Sequence, residues 1–165
     1  MKTLILLIDF YGHPNLTIDS YSDNIRYSAL TEIISSSHIN KKQILFYSTP
    51  IDSRDLKLIE LKNMALSNRF NWVDDIPEDI EQVIVTGTNT SGCVFKKEGL
   101  GALYWTMKGY KTKIYLPMCA EYEHKGINDF ERNTLGFASL YKKIKKEKCF
   151  DIEICKEFED LELPI

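Results

Sequence analysis

The stretch IEQVIVTGTNTSGCVFKK, residues 80 to 97, decides how the chain folds. Its first half carries Ile80, Val83, Ile84 and Val85, a short apolar run of the kind found in a strand buried on both faces. The run stops at Gly87. Thr88, Asn89, Thr90, Ser91 and Gly92 follow, small residues that let a backbone turn tightly, and then comes a thiol, Cys93. Further on, Leu100, Leu103, Tyr104 and Met107 recur at i, i+3, i+4 and i+7, the spacing of a helix, and Gly109 stands where such a helix stops. The order is strand, tight turn, helix. The thiol in the turn needs a reason. A phosphate loop would follow its glycines with Gly-Lys-Ser/Thr, which this stretch lacks. A redox pair needs a second cysteine nearby, and the next is Cys119. A structural cysteine belongs on an apolar face. What remains is a nucleophile on a strand-to-helix turn.

The rest of the chain repeats the alternation. TLILLIDF (3–10) is a continuous apolar run, and QILFYS (43–48), LKLIEL (56–61), KTKIYLP (111–117) and CFDIEIC (149–155) supply further strands, the last at a sheet edge. Ile25, Ala29 and Ile33 predict a helix over 22–38 with Ser20 or Ser22 as its cap. Ile127, Phe130, Thr134, Phe137, Tyr141 and Ile144 predict another over about 127–147, with Asn128 and Glu131 as a capping pair. Strands alternating with helices imply an α/β fold: a mostly parallel six-stranded sheet with helices on both faces, in three α/β/α layers. Residues 1–165 read as one domain, without repeats or a linker.

Composition narrows the function. The 165 residues are 44% hydrophobic and 27% charged, with a formal net charge of −3, so no nucleic-acid partner is expected, since affinity for a phosphate backbone comes from basic patches. The basic cluster KKIKKEK (142–148) sits at the end of the predicted helix, where cations suit the carboxyl-terminal dipole. MKTLILLIDF resembles the start of a signal peptide, but Asp9 ends its apolar run too early. No membrane span is expected, and the reading is cytoplasmic. Cys93, Cys119, Cys149 and Cys155 match no zinc spacing, and they are expected to be reduced.

In parallel sheets, ligands bind beyond the carboxyl ends of the strands. Asp9 follows the first predicted strand, Lys62 the third, and the Gly87–Cys93 turn the fourth. A lysine ammonium favours the thiolate of a nearby cysteine, and an aspartate in hydrogen-bond reach can take and return a proton. Backbone N–H groups around residues 89–93 would hold a developing oxyanion. Asp, Lys and Cys make a set for acyl transfer through a thioester, with an amide-type C–N bond as substrate. Each also has a plainer reading: Asp9 as a turn cap, Lys62 as a solvated lysine, Cys93 as a small buried hydrophobe. A flavodoxin-like nucleotide binder fits the strand pattern as well, but DFYGHPNL has a single glycine and no phosphate loop.

LLID (6–9), IELKNMALSNRF (59–70) and VIVTGTNTSGCV (83–94), followed by KGYKTKIYLPMCAE (108–121), resemble in order the signatures of the isochorismatase-like cysteine hydrolases, a family that includes nicotinamidases and N-carbamoylamide hydrolases. The resemblance implies an isochorismatase-like, Rossmann-like fold. It implies a catalytic triad of Cys93 as nucleophile, Asp9 as general base and acid, and Lys62. It further implies a cis peptide between Thr88 and Asn89, and an oxyanion hole from the N–H groups of Asn89 and Cys93. Phe10, Tyr11, Phe70 and Trp72 would line a pocket for a flat small molecule, and relatives of this kind form dimers or tetramers. Nicotinamidases hold a metal with an Asp and histidines after the second strand. Here YSTPIDSRDLK (47–57) offers Asp52 and Asp55 without a histidine, and His13, His38 and His124 are scattered, so neither metal nor other cofactor is expected. The chain departs from the pattern in places. Arg69 competes with Lys62 for the basic role, Tyr11 stands where Asn or Asp is usual, and FKKEG replaces the Thr-Ala that follows Cys-Val. The interval from Cys93 to Gly109 is longer and includes Gly99 and Gly101. A catalytically silent relative that binds a small molecule or a protein is the alternative.

Overall fold

The computed structural model describes residues 2–8, 28–29, 31–33, 35, 44–47, 66–67, 79–98, 100–121 and 129–163. Its strands are β1 (Thr3–Ile8), β2 (Ile44–Tyr47), β3 (Leu66–Ser67), β4 (Gln82–Gly87), β5 (Lys111–Tyr115) and β6 (Glu153–Cys155). They hydrogen-bond in the order β3-β2-β1-β4-β5-β6, and every neighbouring pair is parallel. The fold is α/β around a parallel sheet, as alternating strands and helices require. β1 and β4 lie side by side in its middle, in register from Thr3↔Gln82 to Ile8↔Gly87.

Every residue of β1 and β4 is buried, which is why both read as apolar runs rather than alternating patterns. Leu4, Leu6, Ile8, Val83, Val85 and Ile114 share one core with Ala102, Trp105, Leu140 and Ile144. Ile5, Leu7 and Ile84 fall on the alternate positions and are buried as well. Two polar side chains inside the sheet find partners there, while Gln82 Oε1 is buried without one among the described residues. Gln82 Nε2 donates to Thr3 Oγ1 at 3.2 Å, and Thr86 Oγ1 donates to the Tyr115 carbonyl at 2.7 Å.

Residues 28–29, 31–33 and 35 are helical, and Ala29 and Ile33, one turn apart, are buried. Ser20, Ser22 and Ile25 lie outside the described residues. The next helix, α1, is Ala102–Met107. It ends as its glycine foretells. Gly109 has φ +91, its N–H donates to the Thr106 carbonyl at 3.0 Å, and the Tyr110 N–H reaches the Trp105 carbonyl at 3.1 Å. The Trp105 and Tyr110 rings meet edge to face at 5.4 Å. This is the left-handed glycine stop with its hydrophobic contact.

The long helix, α2, is Asp129–Glu147, and its buried stripe agrees in part with the one its spacing suggests: Ile144 is buried and Phe137 packs against the core. Thr134 and Tyr141 are exposed, while Gly136, Leu140 and Ile144 are buried. The physical reason is Gly136, where a Cβ would stand 2.7 Å from the Glu121 Cβ. The helix makes this close approach along its glycine, to Glu121.

Two strand boundaries also differ from the sequence reading. β5 stops at Tyr115, and the chain enters a 3-10 turn, Leu116–Met118, with Pro117 in it; proline has no N–H to continue a ladder. β6 is confined to Glu153–Cys155 because Cys149–Ile152 close a turn, the Ile152 N–H on the Cys149 carbonyl at 3.2 Å. The segment 56–61 lies outside the described residues. The strand described between β2 and β4 in the chain is Leu66–Ser67, which Lys62 precedes in sequence.

Beyond β6 a second 3-10 turn, Phe158–Leu161, is closed by a capping box between Glu157 and Asp160. Lys113 of β5 is fully buried beneath it. Its Nζ donates to the carbonyls of Asp160 and Leu161 at 3.1 and 3.2 Å and to Glu162 Oε2 at 3.2 Å, with Glu153 Oε2 at 3.3 Å. A buried ammonium needs such partners. Among the described residues, no helix is long and apolar enough to cross a membrane.

Candidate functional site

The turn after β4 is built between the ends of β1 and β5. Gly87 has φ +125, and a Cβ on it would stand 1.8 Å from the Ile8 carbonyl oxygen. Only glycine fits there. The Thr88 N–H donates to that same carbonyl at 2.8 Å. On the other side, Thr88 bridges Ala120, the Ala120 N–H donates to the Gly87 carbonyl at 3.0 Å, and the Thr90 N–H to the Ala120 carbonyl at 3.2 Å. The Thr88–Asn89 peptide bond is cis, at the position where the resemblance puts one.

Inside the turn, the Asn89 carbonyl accepts the N–H groups of Gly92 and Val94, both at 3.1 Å, and the Gly92 carbonyl accepts those of Phe95 and Lys96 at 3.0 and 2.8 Å. The chain then doubles back onto itself. The Gly101 N–H donates to the Lys96 carbonyl at 2.9 Å and the Ala102 N–H to the Val94 carbonyl at 2.7 Å. A Cβ at Gly101 would lie 2.6 Å from the Lys96 oxygen and 2.7 Å from the Cys93 oxygen. The segment between Cys93 and α1 thus carries a glycine, Gly101, that lets the start of α1 close against the turn. Lys96 and Lys97 within it are exposed, while Val94 and Phe95 are buried.

Cys93 is half-buried, and the other three cysteines are buried. Burial pushes the Cys155 thiol up to about 11, against the pull of Lys113. It raises the Cys149 thiol too, helped by Glu147 and Asp151. Cys119 is packed in the core, its Sγ on the Tyr115 carbonyl at 3.2 Å. Of the four, only Cys93 combines partial exposure with a place in a turn at the carboxyl end of the sheet.

Two residues that sequence reasoning passed over meet this turn. Glu121, one residue past the Thr88–Ala120 bridge, is buried. Its Oε2 accepts the Ser91 hydroxyl at 2.8 Å and, more weakly, the Ser91 N–H at 3.4 Å. Lys143 of α2 donates from Nζ to the Ser91 carbonyl. The strand-end rule that singled out Asp9 applies equally to Glu121, which follows the fifth strand. Lys143 was hidden inside a basic run that reads as a solvated helix end. That reading holds for the exposed Lys145 and Lys146, whereas Lys143 is half-buried beside Ile144. The Thr90 hydroxyl is buried and has no hydrogen-bond partner among the described residues.

Asp9, Lys62, Arg69, Phe10, Tyr11, Phe70 and Trp72 lie outside the described residues, as do His13, His38, His124, Asp52 and Asp55. Ile8, the residue bonded to Asp9, is the register partner of Gly87. The sheet therefore gathers the end of β1, the Cys93 turn and Glu121 at one edge, the carboxyl edge, where α/β sheets bind ligands. Among the described residues no group of three or more His, Cys, Asp or Glu side chains is placed to hold a metal ion. Compared with family models, curated proteins and solved structures, the chain matches none of them.

Proposed function

We propose that the protein is a cysteine-dependent hydrolase that cleaves an amide-type C–N bond of a small molecule, on a three-layer, six-stranded fold of the isochorismatase-like kind. The observation that carries the reading is the Cys93 turn: a half-buried thiol at the carboxyl end of β4, next to the end of β1 through the Ile8–Gly87 pair. In the proposed reaction the Cys93 thiol gives its proton to Asp9, and sulfur attacks the carbonyl carbon, forming the C–S bond. The N–H groups of Asn89 and Cys93 hold the oxyanion. Asp9 returns the proton to the leaving nitrogen as the C–N bond breaks, and an amine or ammonia departs. Asp9 then deprotonates a water that attacks the thioester, the C–S bond breaks, a carboxylic acid leaves, and Asp9 hands its proton back to the Cys93 sulfur. A cationic residue, Lys62 or Arg69, stabilises the thiolate, and Phe10, Tyr11, Phe70 and Trp72 line the pocket. The reading includes a cytoplasmic homo-oligomer, dimer or tetramer, acting without metal or cofactor.

The experiment is ammonia release from a panel of small primary amides and N-carbamoyl compounds, together with the pH profile of Cys93 alkylation. Turnover that vanishes in Cys93→Ala and Asp9→Asn, and an alkylation profile that moves up toward the ordinary thiol value of about 8.5 in Lys62→Ala or Arg69→Ala, are the expected results. An ordinary profile in the wild type that neither Asp9→Asn, Lys62→Ala nor Arg69→Ala changes would sink the mechanism.

One observation favours a second reading, a catalytically silent protein of the same fold that binds a small molecule or a protein partner. Lys62 precedes the described strand β3, Leu66–Ser67, and Arg69 is the basic residue that follows it. If neither cation affects Cys93 and no amide is turned over, the silent reading stands.

A further inference from the structure

We infer that Glu121 and Lys143 are positioning residues for Cys93, acting through Ser91. The inference rests on the reading of Cys93 as the nucleophile. Ser91 stands two residues before Cys93, and its groups are gripped from two distant parts of the chain. Its hydroxyl and its N–H both face Glu121 Oε2, at 2.8 and 3.4 Å, and its carbonyl accepts from Lys143 Nζ. The three contacts leave the peptide units on either side of Ser91 little freedom to rotate. Those units lead directly to Cys93.

Packing alone does not explain the arrangement. Glu121 is 1% exposed, and a carboxylate at such depth is costly unless it is hydrogen-bonded. Replacing both partners of a buried hydrogen bond by apolar groups of the same shape can be nearly neutral for stability. The fold instead makes room for the acid. Gly136 of α2 faces it with no side chain, and a Cβ there would meet the Glu121 Cβ, Cγ and Oε2 at 2.7 to 2.8 Å. The Glu121 N–H is fixed to Asn133 Oδ1 of the same helix at 3.0 Å. One helix therefore supplies the amide that holds the Glu121 backbone, the gap that admits its side chain, and the lysine that closes on Ser91. Rigid support of this kind is what a reacting group needs, since a displacement of about 1 Å can cost about a hundredfold in rate.

The test is the rate of Cys93 alkylation by iodoacetamide, followed by peptide mass spectrometry across pH, with the thermal midpoint recorded for each variant. A merely structural clamp and a positioning clamp predict opposite signs. Loosening a structural contact exposes the thiol and speeds alkylation. Loosening a positioning contact lets the thiol move away from the cation that favours the thiolate, slows alkylation at pH 7 by about tenfold, and moves the profile up by about one pH unit. Glu121→Ala and Lys143→Met are expected to show the second pattern, and Glu121→Gln, which keeps an acceptor oxygen, is expected to restore most of the rate. If Glu121→Ala does not fold, Ser91→Ala removes the same hydroxyl contact with a smaller change. Unchanged or faster alkylation in these variants, with an activated Cys93 in the wild type, overturns the positioning role alone. An ordinary thiol in the wild type overturns the nucleophile reading on which it rests.

Discussion

Gly87 and Ile8 touch backbone to backbone: a Cβ on the glycine would sit 1.8 Å from the Ile8 carbonyl oxygen. The contact closes the two central strands at the edge where the cysteine turn begins, and it admits no side chain. Gly87→Ala forces β1 and β4 apart and also places alanine at φ +125. The expected loss is more than about 4 kcal/mol, in the range reserved for broken cores and strained backbone. Thermal or urea unfolding reads it directly, and a variant with near wild-type stability contradicts the register.

Gly101 and Gly109 flank the same helix and should respond differently to alanine. At Gly109 nothing lies within 4 Å of a new Cβ, so the cost is the positive φ alone, about 1 kcal/mol. At Gly101 the new carbon meets backbone atoms of Cys93, Phe95 and Lys96 at 2.6 to 2.7 Å, and overpacking adds about 1–3 kcal/mol. Denaturant titration of both variants should rank Gly101→Ala as the more damaging. It should also change the reactivity of Cys93, which Gly109→Ala should leave alone.

The cysteines should separate cleanly by reactivity. Burial raises the thiols of Cys149 and Cys155, and Cys119 is buried. Iodoacetamide at pH 7 should modify the folded protein at Cys93 alone, and at all four positions after denaturation. Peptide mapping decides the matter, and labelling of Cys155 in the folded protein at neutral pH contradicts its environment.

Lys113 should anchor the segment after β6. Lys113→Met leaves the carbonyls of Asp160 and Leu161 without their donor, at a cost of about 1–3 kcal/mol. Glu153 and Glu162 are well exposed, so their charges rehydrate and add little. Hydrogen exchange should report the loss first in residues 156–163, before β1 and β4.

The same segment should loosen in acid. Its hydrogen bond to Lys113, and then the charge, hold the Glu162 carboxyl below its ordinary 4.5. The N–H groups of Glu157 and Lys156 hold Asp160 below 3.8. Both values are depressed in the folded state, so their contribution is complete above the ordinary values and is lost as pH falls through the folded ones. Amide protection over 156–163 should therefore drop below about pH 4.5. In Lys113→Met the share of Glu162 should shrink to what Lys111, 3.6 Å from its Oε2, still supplies, while that of Asp160, which depends mainly on backbone N–H groups, persists. An acid response unaltered by Lys113→Met contradicts this assignment.

The sequence by itself determined what depends on neighbours along the chain. The apolar runs at 3–8 and 82–87 specify strands because a strand buried on both faces has no polar side to show. The glycine at 109 specifies a helix stop, and the glycines and small residues from 87 to 92 specify a tight turn ahead of Cys93. Tertiary structure alone decided what depends on partners far apart in sequence. Thr134 and Tyr141 fit the helical period as well as Leu140 does, and only the approach of Gly136 to Glu121 sets which stripe is buried. Lys143 reads like its neighbours in a basic run, and only the position of α2 over the Cys93 turn brings its ammonium to the Ser91 carbonyl. Glu121 looks like one more surface acid until the strand order places it beside Ser91. Periodicity records which way a residue faces, but a hydrogen bond between residues 30 or 52 positions apart exists only once the sheet has brought them together.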